Sequence, residues 1–288
     1  MKIKNNHEKE QKSMTDLERI LQFLENKKRN ENFVLPDADL RNALLTGINL
    51  THADLRGANL NHADLQKVNL SCANLQGASF IGANLSGAIL DYAYLYGSYL
   101  KETNLTGAKL IGAKLTGLNL STAILLGCDF THADLSRSYC RNNQVDYVNF
   151  SKADLSHSDF SGSNLSNSNL SKAYLHYANF SNVTINDTNF TEANLESADL
   201  KEATSTYADF TKANLKRTVL SNAQLRGSVF ENACMLHTRL YDTNLINAKL
   251  AGVDLSGAHL ENTRLLGADL SGASIDEYYD IEYLKTLF

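Results

Sequence analysis

The sequence has one proline, Pro36, no tryptophan, and four cysteines in 288 residues. Cys72, Cys128, Cys140 and Cys234 show no paired spacing, which argues against both a disulfide framework and a zinc site. A reducing cytoplasm is the expected compartment. No apolar run approaches the roughly 18 residues that span a bilayer. The opening stretch MKIKNNHEKEQKSM has no apolar core of the kind a signal peptide carries. Neither sign of charge dominates, since the formal net charge is −5. A nucleic-acid-binding surface, which needs clustered basic residues, is therefore not expected.

What is present is a repeat. Between Leu40 and Ile275 there are 48 positions at a step of five, and 34 hold Leu while 8 hold Phe. The exceptions are Cys140, Val145, Ile185, Ser205, Met235 and Ile275. Two residues before each centre the side chain is small, and Ala fills 28 of the 48 slots. Ile48, Leu118 and Asn143 are large for that slot. Asn or Asp often precedes the centre, and Ser or Thr often follows it, as in ADLRG, ANLNH, ADLQK, ANLQG and ANLSG.

A period of five matches neither a helix nor a strand, whose side-chain periods are about 3.6 and 2. It fits a chain that turns a corner every five residues and sends the centre and the small residue inward. Four segments close a square coil of 20 residues, and stacked coils pair at about 4.8 Å. Twelve coils would make a rod on the order of 58 Å long at that spacing. The small slot is needed because so narrow an interior cannot hold two large side chains per segment at close-packed density. Asn, Asp, Ser and Thr suit corners, where their side chains bond nearby backbone groups.

This A(D/N)LXX pattern resembles that of the pentapeptide-repeat family over about five-sixths of the chain. The resemblance implies an all-β solenoid, a right-handed quadrilateral β-helix, with a non-catalytic, protein-binding role. In style it is similar to cyanobacterial members that carry a helical amino-terminal cap.

Solenoid ends expose apolar and hydrogen-bonding edges, so both need covering. A disordered tail is expected over 1–13, a capping helix over 14–34, the repeats over 35–275 and a carboxy-terminal cap over 276–288. Thr15-Asp16-Leu17-Glu18 reads as a capping box. It leads into an apolar stripe of Leu17, Ile20, Leu21 and Leu24. Lys27, Lys28 and Arg29 suit the helix dipole, and Phe33 and Leu35 lead into the first coil. At the far end, Tyr279, Tyr283 and Leu287, or Ile281, Leu284 and Phe288, would form the apolar side of a short helix. That helix serves as a lid or, as the resemblance implies, as a dimerisation surface, giving a monomer or an end-to-end dimer.

Departures from the frame point to function. The core Phe residues fall on two opposite walls (Phe80, Phe160, Phe180; Phe130, Phe150, Phe190, Phe210, Phe230), which core packing explains. Of the 16 glycines, only Gly162 lies between Gly127 and Gly227. One corner column reads Gly57, Gly77, Gly97, Gly117, then Arg137, His157, Tyr177, Ser197, Arg217, His237, then Gly257. Tyr147 and Tyr207 occupy the opposite corner. Exposed aromatic and Arg side chains are the types enriched at binding hot spots. The alternative is a turn type that does not need glycine. Tyr92, Tyr94, Tyr96 and Tyr99 form a second cluster on two adjacent walls, suited either to protein contact or to a β surface. Ser138 to Tyr147 is the weakest stretch, and Ser205 is a polar centre; either marks a distortion or bulge.

No catalytic, cofactor or metal site is expected. Ser205 has Ile185 and Leu225 beside it in the coil step rather than a base. The histidines do not cluster by that step. Asp134 and Asp154 are stacked neighbours whose proximity would raise a pKa, although a solvated face suits them better. The expected function is a protein-binding scaffold or regulator, with a secreted bacterial effector as a variant. The resemblance also implies a second possibility, a DNA mimic that binds DNA gyrase and protects against quinolones. That role needs a strongly acidic rod, yet acids outnumber bases only 22 to 18 over residues 35–275, and no loop interrupts the frame.

Overall fold

The structure, a computed structural model, describes residues 15–25 and 33–276. The expected tail, Lys27, Lys28, Arg29 and the apolar residues from Tyr279 to Phe288 lie outside the described residues, as does the side chain of Leu24. Helix α1 spans Asp16–Glu25. It begins with a reciprocal capping box. The Thr15 N–H donates to Glu18 Oε2 at 2.7 Å, and the Glu18 N–H donates to Thr15 Oγ1 at 3.2 Å. The helix lies against the first coil: Ile20 is fully buried, Leu17 packs on the core, and Asp16 Oδ2 accepts from the Asp39 N–H at 2.9 Å.

Beyond Phe33 the backbone repeats every 20 residues. Val34 pairs in parallel with Asp54, Asp39 with Asn59, Leu44 with Asp64 and Asn49 with Asn69, and this continues to Asp254 with Ser274. Each wall contributes one bridged residue, the one before the centre. The coils are thus square in plan and stacked by parallel pairing.

One five-residue segment satisfies nearly all of its backbone donors, and that accounting explains the motif. The centre donates upward, as Leu60 N–H does to Ser79 C=O at 2.7 Å. The residue before it donates downward, as Asn59 N–H does to Ala38 C=O at 2.8 Å. The second corner residue donates upward (Gly57 to Gln76, 2.9 Å), and the small residue closes the turn (Ala58 to Leu55, 3.1 Å). That leaves the N–H just after the centre. It is taken by the Asn or Asp two residues earlier: Thr51 N–H to Asn49 Oδ1 at 3.0 Å, Ser156 N–H to Asp154 Oδ1 at 2.9 Å. The following Ser or Thr adds its hydroxyl to the same oxygen, as Ser156 does at 2.6 Å. Where it occurs, the D/N-L-S/T text is an Asx turn at the corner.

All 16 glycines sit at the second corner position with φ between 65° and 72°, and 31 other residues hold the same place with φ between 52° and 63°. At every corner but that of Thr122 the turn is therefore one type, with the positive φ that the third residue of a type II turn requires. The glycine-poor middle does not use a different turn.

Inside, the centres form the core and Phe rings stack along their walls. Phe190, Phe210 and Phe230 make one column at 4.7 and 4.9 Å, and Phe130–Phe150 and Phe160–Phe180 each stand at 5.2 Å. Phe150 and Phe160 meet edge-to-face at 5.8 Å across the interior. Where Thr or Ser replaces Ala in the small slot, its hydroxyl commonly donates to the centre carbonyl 23 residues earlier. Thr103 reaches Phe80 at 2.7 Å and Thr243 reaches Leu220 at 2.8 Å. A buried hydroxyl is thereby satisfied rather than stranded.

The frame breaks at two corners. Thr122 is the one residue in the corner series 37–272 without positive φ. Its β-branched side chain opposes the left-handed region. On either side of it the pairings Tyr99–Asn119 and Ile124–Gln144 are absent from the ladder. Asn143, the large residue in a small slot, fills part of this second gap. Its amide donates to Leu120 C=O at 2.8 Å and Ala123 C=O at 2.9 Å, taking the carbonyl that Gln144 N–H would otherwise reach. At the second break, the Ser205 hydroxyl donates to Ile185 C=O at 3.0 Å and accepts from Ala208 N–H at 3.1 Å. The usual turn bond to the Ser205 carbonyl is replaced, and Tyr207 N–H makes no ladder bond to Arg226 C=O.

Candidate functional site

The corner residues named from the sequence hold left-handed backbone: Arg137 (φ 59°), His157 (57°), Tyr177 (59°), Arg217 (59°) and His237 (55°). For a non-glycine residue this conformation costs on the order of 1 kcal/mol. A side chain here projects from the rod's edge and leans toward the next coil. His237 lies over the corner of Gly257, and Tyr207 over that of Gly227, so closely that a Cβ there would meet the ring. Glycine after a bulky corner residue thus leaves room for that residue's side chain. Tyr92 over Gly112 repeats the arrangement, with ring carbons 2.6 Å from where a Cβ would stand.

Where no glycine follows, the rings stack. His157 and Tyr177 are parallel, with centroids 5.1 Å apart at 11°. His176, on the first position of the same corner, meets His157 edge-on at 5.7 Å and Tyr177 at 6.0 Å. The expectation that histidines stay apart fails for this pair, because the coil rise brings residues 19 apart together as well as those 20 apart. Tyr177 remains 60% exposed. On the adjoining wall Arg141 lies over the Tyr139 ring at 5.2 Å while pairing with Asp159 at 2.6 Å. Tyr241 and His259 stack at 5.4 Å.

The structure separates the remaining candidates. Tyr94, Tyr96 and Tyr99 belong to the same edge and adjoining walls as the corner column, below Arg137. Tyr92 is on the next corner round. Tyr147 and Tyr207 stand on the diagonal corner, so one flat partner cannot touch them and Tyr177 together. All six tyrosines are exposed.

Both frame breaks coincide with cavities. One of about 370 Å³ is lined by Ile81, Ser98, Tyr99, Leu100, Lys101, Asn119 and Thr122. The other, about 540 Å³, is lined by Thr206, Tyr207, Arg226, Gly227, Val229, Asn247 and Lys249. Sequence reasoning marked Ser205 and Tyr207 but missed Arg226, Lys249 and Thr122. A β-branched residue in the corner series was the available signal for Thr122.

Burial pushes the Cys128 and Cys140 thiols up to about 12, which suppresses thiolate chemistry. Asp134 is shifted down rather than up. Burial would raise it, but hydrogen bonds from the Ser136 hydroxyl and amide and the Thr116 hydroxyl, with Lys114 nearby, outweigh that. Its stacking with Asp154 therefore does not raise it. Among the described residues no three His, Cys, Asp or Glu side chains gather as a metal site, and no helix is long and apolar enough to cross a membrane.

Comparison with known proteins assigns the class. A family model described as pentapeptide repeats (8 copies) matches residues 35–71, 69–107, 103–139, 206–240 and 238–275. A second, described as a pentapeptide repeat region, matches 146–210. The chain belongs to the pentapeptide-repeat family, whose members fold as right-handed quadrilateral β-helices. No curated protein matches it. Among solved structures it is similar to HetL, a pentapeptide repeat protein involved in heterocyst differentiation regulation from the cyanobacterium Nostoc sp. strain PCC 7120. That match has 28% identity over 93% of this chain and 99% of HetL, with a TM-score of 0.32. It is also similar to trypsin-treated QnrB1, a plasmid-mediated fluoroquinolone resistance protein, at 17% identity over 85% of this chain and 91% of that one, TM-score 0.37. Rfr23 from the cyanobacterium Cyanothece 51142 is 23% identical over 48% of this chain and 88% of its own, TM-score 0.21.

Proposed function

We propose that this protein is a non-catalytic scaffold or regulator that binds a protein partner along one edge of a twelve-coil rod. In this account residues 14–34 cap its amino-terminal end, residues 35–275 form the rod and residues 276–288 close the other end. It works in the cytoplasm, as a monomer or as a dimer through its carboxy-terminal end. The observation that carries the proposal is the stacked His157–Tyr177 pair with His176 edge-on. It is an exposed, ordered aromatic platform on left-handed backbone that glycine would occupy more cheaply. Strained positions retained against a cheaper residue are reasonable places to seek function, and fixed aromatic rings lose little entropy on binding.

The test combines Arg137→Gly, His157→Gly, Tyr177→Gly and Arg217→Gly. Glycine accepts the corner φ, so the rod should keep its circular dichroism and melting temperature. A partner recovered by the wild-type rod from its source cell should then be lost. Equal capture by wild type and variant would overturn the assignment of this edge. Protection of DNA gyrase from quinolone-stabilised cleavage by added protein would instead favour the DNA-mimic role.

A further inference from the structure

The larger cavity, on the diagonal corner from that edge, forms where the polar centre Ser205 replaces the turn-closing bond. We propose that this notch receives an acidic segment of a protein partner, with an apolar or aromatic side chain between its carboxylates.

Four observations converge on this occupant. First, the cavity of about 540 Å³ has two cationic lining residues, Arg226 and Lys249, and no acidic one. Neither cation takes part in an ion pair among the described residues, unlike Arg41, Arg56, Arg141 and Lys172, which each find a carboxylate. Second, Tyr207 N–H has left the ladder at the same corner and has no hydrogen-bond partner among the described residues. Third, the Tyr207 ring is 68% exposed and leans over Gly227, and with Val229 it supplies apolar surface beside the cations. Fourth, the chain as a whole is net negative, so a positive notch is local rather than part of a basic face. Asp187, one coil before Tyr207 in the same corner column, and Asp209 and Asp269, which bridge to Val229 and Lys249 in theirs, set the notch's limits along the rod. An Arg fork grips a carboxylate at two points and Lys adds a point charge, while the ring offers a face for stacking.

The probe is a fluorescein-labelled, amidated peptide Glu-Glu-Phe-Glu-Glu, followed by anisotropy with the full chain at low salt, with Lys-Lys-Phe-Lys-Lys as control. The acidic peptide should bind and the basic one should not. Arg226→Ala and Lys249→Ala should each weaken binding about threefold and together about tenfold, as exposed charge pairs do. Tyr207→Ala should weaken it further, and 0.5 M salt should abolish most of it. Lys152→Ala and Lys212→Ala, on another corner, should change nothing. No binding of the acidic peptide, equal binding by Arg226→Ala and Lys249→Ala, or equal weakening by the Lys152 and Lys212 changes would overturn the assignment. So would full competition by inorganic phosphate at the peptide's own concentration, which would mark a site for any anion.

This inference rests on the scaffold proposal, but the two fail separately. A rod that captures its partner yet ignores the peptide loses the notch alone. A rod that binds the peptide through Arg226 and Lys249 yet captures no protein loses the scaffold alone.

Discussion

Thr122→Asn should repair the broken wall at the middle of the rod. Asn holds the left-handed corner at many other places in this chain, including Asn42, Asn182 and Asn222, whereas a β-branched side chain disfavours it. With the corner restored, Leu100 N–H should reach Asn119 C=O, and Asn119 N–H should reach Ser98 C=O, as their equivalents do in neighbouring coils. Two hydrogen bonds at about 0.5–1.5 kcal/mol each, less the small cost of Asn in this conformation, give a net gain of about 1–2 kcal/mol. The cavity lined by Ser98 and Asn119 should close in the same step. Because a solenoid's stability is a sum over neighbours, amide hydrogen exchange at Leu100 and Asn119 reads the effect most directly. Each amide should exchange about tenfold more slowly, matching a gain near 1.4 kcal/mol. Thr122→Val, equally β-branched, should leave exchange at Leu100 and Asn119 unchanged, while speeding it at Glu102, whose N–H now donates to Thr122 Oγ1 at 3.2 Å. If Thr122→Asn also leaves it unchanged, Thr122 is not the cause of the break, and the Asn143 amide, which holds Leu120 and Ala123 from above, becomes the cause to test.

Four further outcomes follow from the described contacts. Phe210→Ala, the middle ring of a three-ring column, should destabilise the rod by about 3–5 kcal/mol in denaturant titration, whereas Phe80→Ala, outside the observed ring stacks, should fall at the lower end of that range. Gly112→Ala should lower the melting temperature, since it adds a Cβ at φ 65° and against the Tyr92 ring; Tyr92→Ala in the same chain should recover part of the loss. Asp39, held down to about 2 by hydrogen bonds from Arg41, and Asp54, Asp64, Asp134 and Asp159, also lowered, have folded pKa values below their unfolded ones. Their contribution is therefore complete above about pH 4 and lost as pH falls toward 2, so melts at pH 7 and 5 should agree while melts at pH 3 and 2 drop. Cys72 and Cys234, both partly exposed, should react with a thiol reagent in the folded protein, while Cys128 and Cys140 should react only on unfolding.

The frame was legible because its causes are local and repeated. Leu at every fifth position, Ala two before it and Asn or Asp one before it each fill a place that the twenty-residue coil repeats without change. Thr15 and Glu18 were equally readable, since a capping box is complete within four residues. Where legibility ended, geometry depended on neighbours one coil away. The meeting of His157 with His176 depends on a 19-residue offset as well as the 20-residue rise. Gly257 looks like a plain corner residue until His237 is seen lying over it. Asn143 reads as a misfit in the small slot, yet its amide replaces a missing ladder donor. Arg226 and Lys249 read as two ordinary surface cations, and only the opened corner at Ser205 gives them a common cavity.

That difference bears on where function can reside in such a rod. Residues that satisfy the frame are interchangeable between coils, so they cannot tell a partner which coil it has met. An ordered contact needs a place unlike its neighbours, and the rod provides such places in two ways. One is to set large rings on corners where glycine is cheaper, as along Arg137 to His237. The other is to break the ladder, as at Thr122 and Ser205, where cavities open beside Tyr99 and Tyr207. The two breaks lie about four coils apart, and their cavities line opposite walls, with Tyr99 and Asn119 on one and Val229 and Lys249 on the other, so a partner reading both would have to wrap the rod rather than lie along it. Binding that loses affinity on Tyr177→Gly but not on Tyr207→Ala would place the partner on one edge, and sensitivity to both would require the wrap.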